Sequence, residues 1–178
     1  RAGADKVCIN TAAINNPQFI KDSSREFGSS TIVVAIEVCQ QEDGKYLAYT
    51  DNGREYTGLD ALEWAKRAEE LGAGEILLTS IDKEGTGEGF DLELYLRLKK
   101  NLSIPIIAHG GAATVEHIGD VFNSANIDAV SIASILHYTA IKNFLSSTDS
   151  NFLEEGNIDF LNKKTSFKDF GNENIISI

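Results

Sequence analysis

The stretch Gly72-Ala73-Gly74-Glu75-Ile76-Leu77-Leu78-Thr79-Ser80 joins a turn of small residues to an apolar run and a hydroxylated pair. Similar features, in the same order, occur in residues 2–11 and 125–134, where the run ends in Asn10-Thr11 and Ala133-Ser134. A repeat of this kind, spaced by strand–helix units, favours a (β/α)8 barrel over an open doubly wound sheet.

Short apolar runs rich in Val and Ile alternate with stretches that carry apolar residues at helical spacing. The runs predict strands over 6–10, 31–37, 75–79, 104–108 and 128–132. The helical spacing predicts helices over 17–27, 59–71, 91–99 and 114–122. Residues 45–50, followed by Asp51-Asn52-Gly53, predict a small β-excursion after the second strand. Because the strands are apolar almost throughout, we expect a parallel sheet covered on both faces.

The number of strands predicts an incomplete barrel. Five strands cannot close an eight-stranded barrel, which typically needs about 250 residues. The chain has 178 residues and no methionine, and it starts at Arg1. We therefore expect a single partial domain over 1–178 that is truncated at both ends. The Asn- and Lys-rich part of 146–178 is expected to be an insertion or a tail.

Composition excludes several classes of function. The formal net charge of -11, with scattered Lys and Arg, disfavours nucleic acid as a partner. No apolar run approaches the roughly 18 residues of a membrane span. Cys8 and Cys39 are far apart, which suggests reduced thiols in a cytoplasmic protein. The three histidines lack metal-ligand spacing with the cysteines, so no metal is expected. No other cofactor is predicted.

Polar residues at the carboxyl ends of the predicted strands are the functional candidates, because active sites of β/α barrels lie there. Glu37 closes the second apolar run, where it is either a general acid/base or a solvated loop residue. Gly110-Gly111 runs into a predicted helix, so its amides either hold phosphate, with Gly85 and Ser134, or merely form a tight turn. Asn10-Thr11 is a candidate for a second phosphate site.

Three segments together resemble the cyclase subunit of imidazole glycerol phosphate synthase, which is a (β/α)8 barrel. They are Ala2-Gly3-Ala4-Asp5-Lys6-Val7-Cys8-Ile9-Asn10-Thr11-Ala12-Ala13, Gly72-Ala73-Gly74-Glu75-Ile76-Leu77-Leu78-Thr79-Ser80-Ile81-Asp82-Lys83-Glu84-Gly85-Thr86 and Ile104-Pro105-Ile106-Ile107-Ala108-His109-Gly110-Gly111-Ala112. The resemblance covers about residues 1–145, from the fourth barrel strand onward.

The resemblance implies a lyase of histidine biosynthesis. Ammonia released by a partner glutaminase, in a heterodimer, would travel through the barrel and convert phosphoribulosyl-formimino-aminoimidazole carboxamide ribotide to imidazole glycerol phosphate and aminoimidazole carboxamide ribotide. Glu37 would be a catalytic carboxylate, and Lys6 and Glu75 would belong to the ammonia gate. Substrate and its phosphates would be bound by Asn10, Thr11, Asn52, Thr79, Glu84, Gly85, Gly110, Gly111, Ala133 and Ser134.

Two residues depart from the pattern of that family. The family carries aspartate at the position of Glu37 and usually serine at the position of His109. His109 itself either contacts a ligand or is structural. A second catalytic aspartate belongs to the first barrel strand, so this fragment alone is expected to be inactive. Two alternatives remain open: a related barrel that conducts ammonia to an enzyme amidating surface sugars, and the histidine-pathway isomerase barrel. Three features resemble the cyclase rather than the isomerase: Ile9-Asn10-Thr11, the segment 51–54 and the Lys6/Glu75 pair.

Overall fold

Five parallel strands form the framework of the structure, a computed structural model that describes residues 3–147. The parallel strands are β1 (Val7–Ile9), β2 (Ile32–Gln40), β5 (Glu75–Ser80), β6 (Ile106–His109) and β7 (Ala129–Ser131). An antiparallel hairpin of β3 (Tyr46–Thr50) and β4 (Glu55–Asp60) is inserted after β2. The helices are α1 (Thr11–Asn15), α2 (Gln18–Phe27), α3 (Ala61–Leu71), α4 (Leu92–Lys99), α5 (Val115–Ala125) and α6 (Ser134–Ser147), with a 3-10 turn at Ser29–Thr31.

The parallel strands are neighbours in the order β1-β2-β5-β6-β7, as expected for consecutive strands of a barrel wall. The structure thus confirms the predicted fold class, an incomplete (β/α)8 barrel. Along one edge, β2 pairs first with β1 and then, over its last residues, with β3. The hairpin therefore lies above the carboxyl end of β1, and this places it at the mouth of the barrel wall.

Several predicted boundaries were wrong by one to three residues, and three of them have a clear physical reason. Strand β2 continues to Gln40 rather than ending at Glu37, because the hairpin supplies hydrogen-bonding partners for the extra residues. Helix α3 begins at Ala61 rather than at residue 59, since Asp60 accepts hydrogen bonds from the N–H groups of Leu62 and Glu63 and caps the helix. Helix α5 runs on to Ala125 and stops where Asn126 adopts a left-handed conformation.

The core lies between the sheet and the helices. Val34, Ile36 and Val38 alternate along β2 and are at most 1% exposed, and they belong to one apolar cluster with Trp64 and Ala68 of α3. Burying each large aliphatic side chain contributes about 1.5–3 kcal/mol. Of the segment 146–178, everything after Ser147 lies outside the described residues. Within the described part, no helix is long and apolar enough to cross a membrane.

Glu69, in the last turn of α3, ties that helix to the loop before β6. Its carboxylate accepts hydrogen bonds from the Ser103 N–H at 2.8 Å, the Ile104 N–H at 3.2 Å and the Ser103 hydroxyl, and it pairs with Lys66 at 2.7 Å. Burial raises the pKa of Glu69, but the hydrogen bonds from Lys66 and Ser103 outweigh burial and lower the pKa to about 2. Glu69 therefore stays ionised in the folded state to low pH.

Replacing Glu69 with glutamine is expected to lower the free energy of unfolding by about 2 kcal/mol at pH 7, the scale of hydrogen bonds to a charged acceptor. Since the pKa of the folded state lies below that of the unfolded state, this contribution is complete above the ordinary pKa of 4.5 and is lost as pH falls toward 2. Urea denaturation at pH 7 and pH 3 measures both effects.

Glu70→Gln is the matched control for Glu69→Gln. Glu70 is the next residue on the helix, and its 52% exposed side chain pairs with Arg67 at 3.3 Å. An exposed pair of this kind contributes about 0–1 kcal/mol. Equal losses in the two variants would contradict the anchoring role of Glu69.

Candidate active site

Four side chains lie in one row across the mouth of the barrel wall. In the register of the parallel strands Glu37 pairs with Thr79, Thr79 with His109, and His109 with Ser131. In-register residues of neighbouring parallel strands point to the same face of the sheet, about 4.8 Å apart from strand to strand. The row therefore brings a carboxylate, two hydroxyls and an imidazole onto one surface.

Tyr95 fixes the backbone at the centre of this row. The residue is fully buried on α4, and its hydroxyl lies 3.0 Å from the Leu78 carbonyl and 2.9 Å from the His109 carbonyl. The same oxygen accepts the His109 N–H at 3.0 Å. The His109 side chain is held as well, because its Nδ1 lies 3.1 Å from Thr79 Oγ1. Helix α4 thus sets the position of the imidazole relative to the mouth.

A pocket beside His109 brings together most of the residues predicted to bind phosphate. Its walls come from the loops after β5, β6 and β7, and the sequence-predicted residues among them are Glu84, Gly85, Gly110, Gly111, Ala133 and Ser134. His109 and Ser131 of the row also line it. Ser134 is the first residue of α6, so N–H groups of a helix start are available there. Backbone amides and a hydroxyl at such a site suit an anion.

The glycine pair is required by the packing of these loops. Gly110 and Gly111 have φ angles of +98° and +101°, which L side chains rarely adopt. A Cβ on Gly111 would lie 2.1 Å from the Gly89 carbonyl oxygen, and one on Gly110 would lie 2.7 Å from that of Ser80. The Gly89 N–H donates to the Gly111 carbonyl at 2.8 Å. The pair therefore makes a tight turn and also closes the wall of the pocket.

Gly111→Ala is expected to lower the free energy of unfolding by about 3 kcal/mol, since the backbone is strained and a packed loop must move. Gly119→Ala is the matched control, because Gly119 lies inside α5 and a Cβ there meets no atom within 4 Å. This control is expected to gain about 0.5–1 kcal/mol from helix propensity. Thermal unfolding of both variants measures the difference, and a neutral Gly111→Ala would contradict the described close approach.

Glu37 lies inside β2, half-buried, and is held by the hairpin turn. Its Oε2 accepts the Gly53 N–H at 2.6 Å. The turn is sharp, because Asp51, Asn52 and Gly53 all have positive φ angles, of 53°, 58° and 75°. A Cβ on Gly53 would approach Ile81 Cδ1 to 3.0 Å. The prediction that Glu37 emerges where the strand ends was wrong, because the hairpin extends β2 and anchors the carboxylate.

Asn10, Thr11 and Asn52 do not lie in the pocket near Gly110. Asn10 and Thr11 follow β1, where the Asn10 amide contacts the Tyr49 carbonyl and Thr11 Oγ1 the Asp51 N–H, both at 3.4 Å. Asn52 is exposed in the same hairpin turn. The Asn10 side-chain oxygen is buried and has no partner among the described residues. The mouth thus has two separate groups of candidates, one beside β1 and one beside β6 and β7.

The Asp82 carboxylate is engaged in structural hydrogen bonds at the end of β2. Its Oδ2 accepts the Gln40 N–H at 2.7 Å, and its Oδ1 accepts the Cys39 thiol at 3.2 Å. Burial, together with the neighbouring Asp82 carboxylate, raises the pKa of Cys39 to about 11, so the thiol stays protonated. Cys8 and Cys39 are both free thiols.

Lys6 and Glu75 meet at the opposite end of the strands. They lie at the amino-terminal ends of β1 and β5, on either side of β2, and form an ion pair. The Lys6 side chain is 51% exposed, whereas that of Glu75 is 18% exposed. The structure therefore brings the two residues of the predicted gate together, far from the glycine loops.

Sequence reasoning missed Tyr95, Gly53 and Ser131. The pattern of α4 marks Tyr95 as a core residue, but nothing in it tells where the hydroxyl points. His117 and His137 lie on α5 and α6. Among residues 3–147, no group of three or more His, Cys, Asp or Glu side chains is close enough to hold a metal ion.

Comparison with known proteins is consistent with this architecture. Residues 1–142 match the family described as "Histidine biosynthesis protein". The protein "Imidazole glycerol phosphate synthase subunit HisF" of Alkaliphilus metalliredigens is 48% identical over 141 residues, which are 79% of this chain and 56% of the relative. Proteins of the same name from two strains of Bacillus cereus are each 51% identical over 138 residues, 78% of this chain and 55% of the relative.

The chain spans about half the length of the curated relatives that it matches. The match itself runs through the strands, the glycine loops and the row of Glu37, Thr79 and His109. It covers more than two thirds of this chain at about 50% identity. The chain therefore belongs to the histidine biosynthesis protein family.

Proposed function

We propose that this protein acts as the cyclase subunit of imidazole glycerol phosphate synthase, a lyase. The observation that carries the proposal is that Glu84, Gly85, Gly110, Gly111 and Ser134 line one common pocket beside the row that contains Glu37. Relatives at about 50% identity bear the name of that subunit. An anion-binding pocket next to a candidate acid/base is what a phosphorylated substrate undergoing proton transfer requires.

The proposed substrate carries two phosphates, and the mouth offers a place for each. Gly85, Gly110, Gly111 and Ser134 would hold one phosphate through amides and a hydroxyl, with Glu84 and Ala133 beside them. Asn10 and Thr11 would hold the other near β1. The side-chain oxygen of Asn10 is buried and has no partner among the described residues, so it would accept a hydrogen bond from a hydroxyl of the substrate, whereas the phosphate would be held by N–H and hydroxyl donors of the two residues. Thr79 and Asn52 would line the space between.

Glu37 would transfer protons during the reaction. Ammonia adds to the substrate with loss of one water, the imidazole ring closes, and the substrate splits into imidazole glycerol phosphate and aminoimidazole carboxamide ribotide. Each stage moves a proton to or from a nitrogen, which a carboxylate at the mouth can carry. The hydrogen bond from the Gly53 N–H to Oε2 leaves Oε1 of Glu37 available for that transfer.

Ammonia would come from a partner glutaminase that docks at the amino-terminal end of the strands. The Lys6–Glu75 ion pair lies at that end, where it would line the entrance to the barrel interior. In this proposal the protein works in the cytoplasm, in a heterodimer.

The test is turnover of the bisphosphate by the intact protein. With ammonium salt alone, and with glutamine plus the glutaminase, imidazole glycerol phosphate is expected to form. Protein that binds the bisphosphate but makes no product with ammonium salt would overturn the proposal. That outcome would instead favour an ammonia-conducting barrel.

A further inference from the structure

The phosphate pocket lacks the positive charge that a phosphate dianion calls for. Among the described residues that line it there is no lysine or arginine, and Glu84 adds a negative charge. The formal net charge of the chain is -11, so the electrostatic potential of the whole chain is also unfavourable for an anion. Backbone amides and Ser134 supply hydrogen bonds to an anion. A side chain at the pocket that can carry a positive charge would strengthen phosphate binding further.

Lys83 is the nearest basic residue along the chain, and it is already engaged. Its Cβ lies against Gly111, since a Cβ built on that glycine would be 3.1 Å from it. Its ammonium, however, pairs with Glu88 at 3.5 Å rather than lining the pocket. Among the side chains that do line the pocket, His109 is the one that can become positively charged.

His109 is also held rigidly in place. Nδ1 lies 3.1 Å from Thr79 Oγ1, and Tyr95 fixes the backbone N–H and carbonyl. The hydrogen bond to Thr79 occupies Nδ1, and a protonated imidazole retains Nε2–H as a second donor. A cation fixed in this way loses little side-chain entropy when an anion arrives.

We propose that His109 is a ligand-contacting residue that takes up a proton when the phosphate of the ligand binds in this pocket. The protonated imidazole then supplies the positive charge beside Gly110 and Gly111, donating Nε2–H to a phosphate oxygen. This inference rests on the proposed function only in that the ligand carries a phosphate monoester. It makes binding tighter as pH falls through the titration of the histidine, as long as the phosphate stays doubly ionised.

The charged and titratable groups around His109, among the described residues, come from neighbouring loops, strands and helices. Glu84 from the β5–α4 loop lines the pocket, and Glu37 lies two strands away in the row, so both place a negative charge on this side of the mouth. Lys83 is compensated by Glu88. From α5, His117 faces Gly89 and accepts the Ala113 N–H through Nδ1 at 3.3 Å, outside the residues that line the pocket. Tyr95 contacts only the backbone of His109 in the described contacts.

The experiment is calorimetric titration of the intact protein with glycerol 3-phosphate at pH 7.5, in buffers of different ionisation enthalpy. The dependence on buffer gives the number of protons taken up per bound ligand. Net proton uptake by the wild type is expected, because an adjacent phosphate dianion favours the charged form of an imidazole. His109→Asn keeps a hydrogen-bonding group near Thr79 but cannot be protonated, so the uptake should fall close to zero.

His137→Asn is the matched control. His137 is exposed on α6, and the chain has three histidines in all. Its replacement should leave both proton uptake and affinity unchanged. In His109→Asn, affinity should fall several-fold, and more at pH 6.5 than at pH 8.5. If His109 were merely structural, His109→Asn would lower the affinity equally at both pH values and would leave the proton uptake unchanged.

The outcomes separate this inference from the proposed function. Glycerol 3-phosphate that binds with the same proton uptake in wild type and His109→Asn overturns the inference and leaves the proposed function standing. Absence of binding in the wild type overturns the inference and counts against the phosphate pocket on which the proposed function depends. Loss of proton uptake in His109→Asn alone supports it.

Discussion

Glu37→Gln is expected to lower cyclase turnover of the intact protein by about 100-fold or more, the usual contribution of a positioned acid/base. Glutamine keeps an oxygen that can accept the Gly53 N–H, so the hairpin turn should hold the new side chain where it held the carboxylate. Binding of the bisphosphate should therefore be nearly unchanged. Steady-state kinetics with ammonium salt, together with calorimetric binding of substrate, separate the two effects.

Glu42→Gln is the control for this variant. Glu42 is exposed in the loop between β2 and β3, close in sequence to Glu37 but away from the row of side chains. Its replacement removes the same charge and should leave turnover within a factor of two or so, as is usual for exposed sites. An unchanged turnover in Glu37→Gln would remove Glu37 from the mechanism.

Shortening the Glu37 side chain tests the position of its carboxylate rather than its charge. Glu37→Asp draws the carboxylate back by roughly one C–C bond, and displacements of that size affect positioning-sensitive catalysis strongly. The Oε2 contact with the Gly53 N–H, at 2.6 Å, depends on the glutamate length. A turn that is built around glutamate should make Glu37→Asp slower than wild type.

The strands were predictable because a buried parallel sheet needs continuous apolar runs, and the runs before Glu37 and Thr79 contain few polar residues. The ends of the strands were harder to predict. Gln40 belongs to β2 only because β3 folds back on it, and that pairing is a long-range property. Local pattern also does not show that Asp60, rather than a residue before it, caps α3.

The candidate site also has features that the sequence predicts and features that it does not. Glycines after a strand predicted the pocket, since few other residues adopt the backbone that Gly110 and Gly111 need. The contact of His109 with Thr79 was not predictable, because it depends on the register of two strands that are thirty residues apart. The hydroxyl of Tyr95 likewise acts on β5 and β6 at once, which no single segment encodes.

The Lys6–Glu75 pair leads to a prediction about coupling between subunits. If the pair lines the ammonia entrance, Lys6→Ala should lower the glutamine-dependent rate about tenfold relative to the ammonium-dependent rate, within the usual range of coupling between two sites. The reason is that the Glu75 side chain, which is 18% exposed, then lacks its ion-pair partner at the entrance for ammonia. The measured quantity is the ratio of the two rates in the complex with the glutaminase.

The Lys99–Asp128 pair provides the control for Lys6→Ala. Lys99 ends α4 and pairs at 2.6 Å with Asp128, which precedes β7, so this pair also lies at the amino-terminal end of the strands. Lys99→Ala removes the same charge from the same end of the sheet, but not from the predicted gate. Its ratio of rates should equal that of the wild type. Equal changes in both variants would mean that lost stability or a general change in charge, rather than the entrance itself, controls the transfer of ammonia.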